Sequence, residues 1–361
     1  MNTPFNISLS LNVSLPLNNA FLAYCAGIDP AEEWELGGVS GYGDRSDELN
    51  ISRIDDFVSA MSRGEPTAKS HVVQFAVQMF TEFWSGEPVI KKHFDGYRFF
   101  FITGIPRSGG TYLLTQLYAL AGIDHRTLSR AMLRDSIPGS KKLNRGEIHS
   151  PGENNALFEL FQFLAWAKEA VDSKFVVQKN VNYVHWMQTL NRVFGDQADY
   201  AITIRHPLAY MASVLQLNQD TESWEELFAL SDGAPRFESE TTRLQLIAKS
   251  AFVNVDFSSV LDVLLANWEI YYLDVVQHRP AGEIVTFAYG DPMVGYFQEN
   301  HPGYLETSPG GLNWTPDQRD YDAFVEKFGI DMAKVDAAID RVRGIWRARG
   351  YQFPELPQTM V

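Results

Sequence analysis

Residues 97–111 read YRFFFITGIPRSGGT, and residues 112–122, YLLTQLYALAG, carry apolar side chains at helical spacing. An apolar run without alternation predicts a strand buried on both faces, followed here by a glycine-rich turn and a helix. That arrangement aims several backbone N–H groups at one point, with the positive end of the helix dipole behind them. The stretch therefore predicts a seat for an anion and an α/β fold around it. It is nearly a phosphate-binding loop: Gly104 and Gly109 have the right separation and Thr111 closes the motif. Gly110, however, stands where a nucleotide hydrolase or kinase carries its lysine, and Arg107 lies inside the loop. Arginine is a planar fork suited to bidentate contact with a phosphate or sulfonate. The plainer alternative is an ordinary strand-to-helix turn that contains two glycines.

Outward from this loop, strands alternate with helices. KFVVQKN (174–180), DYAITIR (199–205) and EIVTFAYGD (283–291) read as strands. NALFELFQFLAWAKEAV (155–171), VHWMQTLNRVF (184–194), LAYMASVLQL (208–217) and SVLDVLLANWEIYYLDVVQHR (259–279) read as helices, as do YDAFVEKFG (321–329) and MAKVDAAIDRVRGIWRARG (332–350). Such a succession predicts a parallel β-sheet flanked by helices, with ligands gathered at the carboxyl ends of the strands. Residues 95–353 are expected to form this domain. The more polar segment 218–256 is expected to be a lid or acceptor-binding insertion, and residues 295–319, rich in glycine and proline, a loop. Residues 1–94 read as an N-terminal arm and helical appendage. Ile7, Leu9, Leu11, Val13 and Leu15 alternate as in a half-buried strand, an edge strand or docking arm, and 51–64 and 67–84 read as amphipathic helices.

Composition narrows the classes of partner. The 361 residues are 45% hydrophobic and 21% charged, proportions of a globular chain, with a net charge of −15 and a pI of about 5.0. Long-range repulsion disfavours nucleic acid and anionic membrane surfaces. The single cysteine, Cys25, forms no intrachain disulfide and fits a reducing cytoplasm. The first residues show no basic start or continuous apolar run of a signal peptide, and no stretch reaches the ~18 apolar residues of a membrane span. The eight histidines are scattered without the spacing of a metal site.

A second motif reinforces the first. DYAITIRHPLAYMASV (199–214) is a strand ending at Arg205, a proline at the start of a helix, and Ser213 within two helical turns. Alone, it would read as a strand-end arginine paired with an acidic neighbour. Together, TGIPRSGGTYLL and YAITIRHPLAYMASV resemble the 5′-phosphosulfate loop and the 3′-phosphate strand and helix of sulfotransferases that use 3′-phosphoadenosine-5′-phosphosulfate. The branch whose loop reads Pro-Arg-Ser-Gly-Thr-Thr is the nearest. VVQKN, a strand ending at Lys179, and Trp268 on a long helix before IVTFAYGD are similar to two further segments of that family, in the same order.

The resemblance implies a P-loop-like sulfotransferase fold and metal-independent, in-line transfer of a sulfuryl group to a hydroxyl of a small-molecule, lipid or saccharide acceptor. Gly104, Arg107, Ser108, Gly109, Gly110, Thr111 and Tyr112 would hold the donor at its 5′ end, and Arg205 and Ser213 its 3′-phosphate. Arg107 and Lys179 would supply positive charge at the reacting end. His149 and Glu153, in GEIHSPGENNALFELF, are the candidates for a base, beside the plainer readings of a surface histidine and a helix-start carboxylate. His125 ranks below them. The chain departs from the family pattern at Gly110, in KNVN after the lysine strand, and in SPGGLNWTP, which carries no basic residue. A nucleotide-dependent kinase or hydrolase and a non-catalytic nucleotide-binding protein remain as alternatives.

Overall fold

A computed structural model describes residues 6–8, 14–28, 46–134, 153–181, 183–219, 260–277, 284–288, 294–300 and 321–356. In chain order, the elements begin with β1 (Asn6–Ser8), β2 (Ser14–Pro16), α1 (Asn19–Cys25), α2 (Ser46–Ser62), α3 (Ser70–Trp84) and α4 (Val89–His93). They continue with β3 (Arg98–Gly104), α5 (Gly110–Leu120), α6 (Arg130–Leu133), α7 (Glu153–Ala170), β4 (Phe175–Lys179) and α8 (Tyr183–Phe194). Then follow β5 (Ala198–Ile204), α9 (Pro207–Gln219), α10 (Val260–Gln277), β6 (Ile284–Ala288), α11 (Val294–Asn300), α12 (Tyr321–Phe328) and α13 (Met332–Ala348).

Strands β3 to β6 form a four-stranded parallel sheet in the order β4-β3-β5-β6. Phe99, Phe100, Phe101 and Ile102 are all buried, because helices cover both faces of the sheet. Phe99 and Phe101 pack on Phe194 of α8, with ring centroids 4.7 and 4.9 Å away, while Phe100 meets Phe297 of α11 at 5.3 Å. The outer edge of β4, away from β3, is closed by Tyr118 of α5, whose hydroxyl donates to the carbonyl of Val177 at 2.7 Å and accepts from its amide at 3.1 Å. Helices before the sheet share its core: Phe80 of α3 packs edge-on against Phe158 of α7 at 5.4 Å.

Strand order fixes where a ligand is expected. From β3 the chain moves to one side, to β4, and from β5 it moves to the other, to β6. The crevice between the carboxyl ends of β3 and β5 is thus the topological switch point of the sheet. Register places Gly104 beside Thr203, so the loops after the two strands rise from that crevice together.

Two expectations need correction. Among the described residues, the alternating N-terminal stretch does not join the four-stranded sheet as an edge strand: Asn6–Ser8 and Ser14–Pro16 pair with each other, antiparallel. Period-two alternation is the same for one long strand and for the two arms of a hairpin. Residues 294–300 form α11 where a loop beginning at 295 is expected, because burying Phe297 against Phe100 and Phe287 outweighs the weak helix propensity of Gly295. The insertion beyond residue 219, the rest of the glycine- and proline-rich loop from residue 301, and the YGD end of the last strand lie outside the described residues.

Candidate functional site

The turn after β3 is built around Arg107. The amide of Ser108 donates to the carbonyl of Ile105 at 3.1 Å, Pro106 takes the second position of the turn, and Arg107 the third with φ of 73°. This is the pattern of a type II turn, whose third position ordinarily requires glycine. Among the described residues, Arg107 is the only non-glycine with positive φ. A left-handed non-glycine residue costs roughly 1–2 kcal/mol and persists where its surroundings hold it. Arg205 does the holding: its Nη1 donates to the carbonyl of Arg107 at 2.9 Å. The exposed Arg107 side chain crosses the crevice, and its Nε donates to Ser213 Oγ at 3.1 Å.

Gly109, with φ of 95°, then caps α5 without offering a side-chain acceptor. Helix geometry leaves the first-turn amides of Gly110 and Thr111 without intrahelical carbonyls, at the positive end of the dipole. Gly104 is required for a different reason. A Cβ there would lie 2.1 Å from Thr203 Oγ1 and 2.6 Å from the Thr203 carbonyl, so only glycine lets β3 and its turn approach β5 this closely.

Ser108 is buried, and its hydroxyl lies 2.7 Å from that of Thr203, which itself donates to the carbonyl of Thr103 at 3.3 Å. The Ser108 proton is therefore directed to Thr203. This hydroxyl ties the loop to β5 and is not aimed at the mouth of the crevice.

Lys179 ends β4 and is only 8% exposed. Its stem occupies the space a side chain at position 110 would fill: a Cβ on Gly110 would meet Lys179 Cγ at 3.3 Å and Cε at 3.4 Å. The lysine absent from the loop is thus matched by one entering from the adjacent strand. Arg205 is 7% exposed, and its carbonyl accepts from the indole of Trp268 at 2.8 Å. Trp268 is wholly buried and belongs to the core.

His206, next to Arg205, accepts the amide of Leu208 on Nδ1 at 3.2 Å and so caps α9. Burial pushes its pKa down to about 4; nearby Asp336 opposes the shift and Arg343 adds to it.

The structure thus brings Arg107, Arg205, Ser213 and the turn Gly104–Gly110 to the switch point, with Lys179 beside the start of α5. Thr111 and Tyr112 lie in the first turn of that helix and are partly buried. Glu153 opens α7, and nothing of its side chain is described; His149 lies outside the described residues. His125 sits in a short turn after α5, its pKa lowered first by burial. Thr103, Thr203, Tyr271 and Tyr272 also shape the site. In the sequence they are ordinary strand threonines and helix aromatics, without a motif to single them out. Among the described residues, no group of three His, Cys, Asp or Glu side chains is arranged to hold a metal ion, and no helix is long and apolar enough to cross a membrane.

Comparison with protein-family models, with curated proteins and with solved structures finds no match for the chain.

Proposed function

We propose that the protein is, in class, an α/β enzyme that binds a doubly anionic nucleotide at its switch point. More particularly, we read it as a sulfotransferase of P-loop-like fold, using 3′-phosphoadenosine-5′-phosphosulfate and acting on a hydroxyl of a small-molecule, lipid or saccharide acceptor. One observation carries the reading: the Arg107 guanidinium reaches the Ser213 hydroxyl, the Arg205 guanidinium reaches the Arg107 carbonyl, and a lysine from β4 stands beside the glycine at position 110.

When bound, the donor would supply an activated sulfuryl group whose departure leaves an adenosine bisphosphate. Arg205 and Ser213 would anchor the 3′-phosphate; Arg107, expected at the reacting end, has its guanidinium on Ser213 and would join them there, and binding energy spent on that anchor aligns the reacting end. The first-turn amides of α5 and the Lys179 ammonium would stabilise charge on the departing phosphate. Ser108 holds the loop against β5. A base is still required for the acceptor proton. His149 and Glu153 are proposed for it because the segment carrying His149 leaves from Arg134, whose backbone bridges to Lys179, and Glu153 opens the helix on which that segment ends. With one cysteine in the chain, a reducing compartment such as the cytoplasm is the proposed setting.

Thermal unfolding in the presence of adenosine 3′,5′-bisphosphate with a metal chelator, compared with Mg-ATP, tests the reading. Stabilisation by the bisphosphate alone is expected. Stabilisation by Mg-ATP alone would replace this reading with a kinase or hydrolase. Binding of the bisphosphate with no sulfuryl transfer to any hydroxyl compound would leave a nucleotide-binding protein.

A further inference from the structure

The hydroxyl of Tyr271 stands where β3 loses its neighbour. β4 ends at Lys179, paired with Ile102, and the amide of Asn180 makes a last rung to the carbonyl of Ile102 at 2.9 Å. Rungs of a parallel ladder are evenly spaced, and alternate residues of a strand turn to the same neighbour. The next group of β3 on that side is therefore the amide of Gly104, which donates to the Tyr271 hydroxyl at 2.9 Å. The same hydroxyl donates to the carbonyl of Val181 at 2.7 Å and meets the Thr103 hydroxyl at 2.8 Å. One phenol oxygen thus takes the place of the missing rung. It joins the first residue of the glycine turn to the chain two residues past Lys179.

Tyr271 has company on its helix. Trp268 and Tyr272 lie three residues before it and next to it on α10, and the Tyr272 hydroxyl donates to the carbonyl of Thr203 at 3.0 Å. Those two residues hold the β5 side of the crevice, whereas Tyr271 spans the β3–β4 side. A phenylalanine would fill the same volume but leave a strand-end amide and a carbonyl without this partner, a loss larger than the net gain from an ordinary hydrogen bond.

We propose that Tyr271 is a positioning residue, its hydroxyl setting the separation between the glycine turn and the end of the lysine strand. The identity of the ligand rests on the donor reading given above; the clamp belongs to the chain itself.

Tyr271→Phe tests it, because the ring is retained and only the hydroxyl is lost. Amide hydrogen exchange over 104–111 and 179–181 is followed alongside calorimetric titration with adenosine 3′,5′-bisphosphate. Replacing Tyr271 by 4-aminophenylalanine, which restores a polar hydrogen at the same place, serves as rescue. Exchange about tenfold faster in both segments is expected, with an affinity loss of about tenfold, the scale of one strong hydrogen bond. The amino variant should recover part of both. Unchanged exchange in either segment overturns the clamp. Faster exchange with unchanged affinity overturns its role in positioning a ligand. Should the natural chain bind no bisphosphate, the donor reading falls and the ligand-positioning role with it, while exchange, which needs no ligand, still decides the clamp.

Discussion

Arg205 donates through Nη1 to the carbonyl oxygen of Arg107 at 2.9 Å, so a cation at the end of one strand fixes the backbone of the loop leaving its neighbour. The bond joins residues 98 positions apart and holds Arg107 in the left-handed region, from which its side chain reaches Ser213. In the proposed reading Arg205 thereby has two duties: to offer charge to a ligand and to hold the turn that offers more. Arg205→Ala is expected to weaken bisphosphate binding by roughly 2–4 kcal/mol, the scale of removing one partner of a partly buried charged contact. Arg205→Lys keeps the charge but not the planar fork, so it should recover only part of that loss. Isothermal titration measures both, and wild-type affinity in Arg205→Ala would remove this residue from the site.

The strain at Arg107 separates stability from binding. Arg107→Ala and Arg107→Gly both lose the guanidinium, and each is expected to bind the bisphosphate far more weakly than the natural chain. Only the glycine variant relieves the positive φ. Urea unfolding should therefore find Arg107→Gly more stable than Arg107→Ala by about 1 kcal/mol. Equal stabilities would mean that the turn relaxes when the side chain is shortened.

Gly104 ends β3 and Gly110 opens α5, on either side of one turn, yet glycine is there for different reasons, and methyl groups should tell them apart. At Gly104 the added carbon meets the Thr203 hydroxyl at 2.1 Å and the Thr203 backbone carbonyl at 2.6 Å, and the carbonyl does not yield without moving β5. Gly104→Ala should cost about 1–3 kcal/mol or more of stability. At Gly110 the neighbours are the Lys179 stem and Ile102 Cγ2, at 3.3–3.4 Å, and a lysine stem can move aside. Gly110→Ala should leave stability within about 1 kcal/mol but shift Lys179, reducing sulfuryl transfer more than nucleotide binding. Equal effects on transfer and binding would separate Lys179 from the reacting end.

The part of this site that could be read from the sequence is the part made of local pattern. The run Phe99–Ile102 is apolar because both faces of its strand are covered, and β4 and β5 end at a lysine and before an arginine, so a parallel sheet carries all three ends to one edge. Contacts across that edge left no trace. Nothing in RSGG shows that the Ser108 hydroxyl turns inward to Thr203, 95 positions away, or that Tyr271 completes a ladder begun by β4. Such hydrogen bonds depend on strand order, and β4-β3-β5-β6 does not follow from any window of residues. Helix α11 escaped for a similar reason, since only the tertiary burial of Phe297 favours it.

Two groups, one half-buried and one buried, give the stability a pH dependence in opposite senses. His206 on the switch-point edge has its pKa pushed down to about 4 by burial, and Asp274 in α10 has its own raised to about 6 by the same cause. As pH falls from about 6.5 to 4, unfolded histidine takes a proton that folded His206 refuses, so stability contributed above that window is lost within it. For Asp274 the folded carboxyl keeps its proton up to about pH 6, while the unfolded one releases it near its ordinary value of 3.8; stability therefore falls as pH rises from about 4 to 6. Each effect is worth up to about 3 kcal/mol, at 1.36 kcal/mol per pH unit, and over the shared window they largely cancel. His206→Asn keeps an acceptor for the Leu208 amide and removes the first effect, so its stability should rise as pH falls from 6 to 4. Asp274→Asn removes the second, and its stability should fall over the same range. Denaturant unfolding at a series of pH values reads both slopes, and parallel curves for the two variants would show that neither group is buried as described.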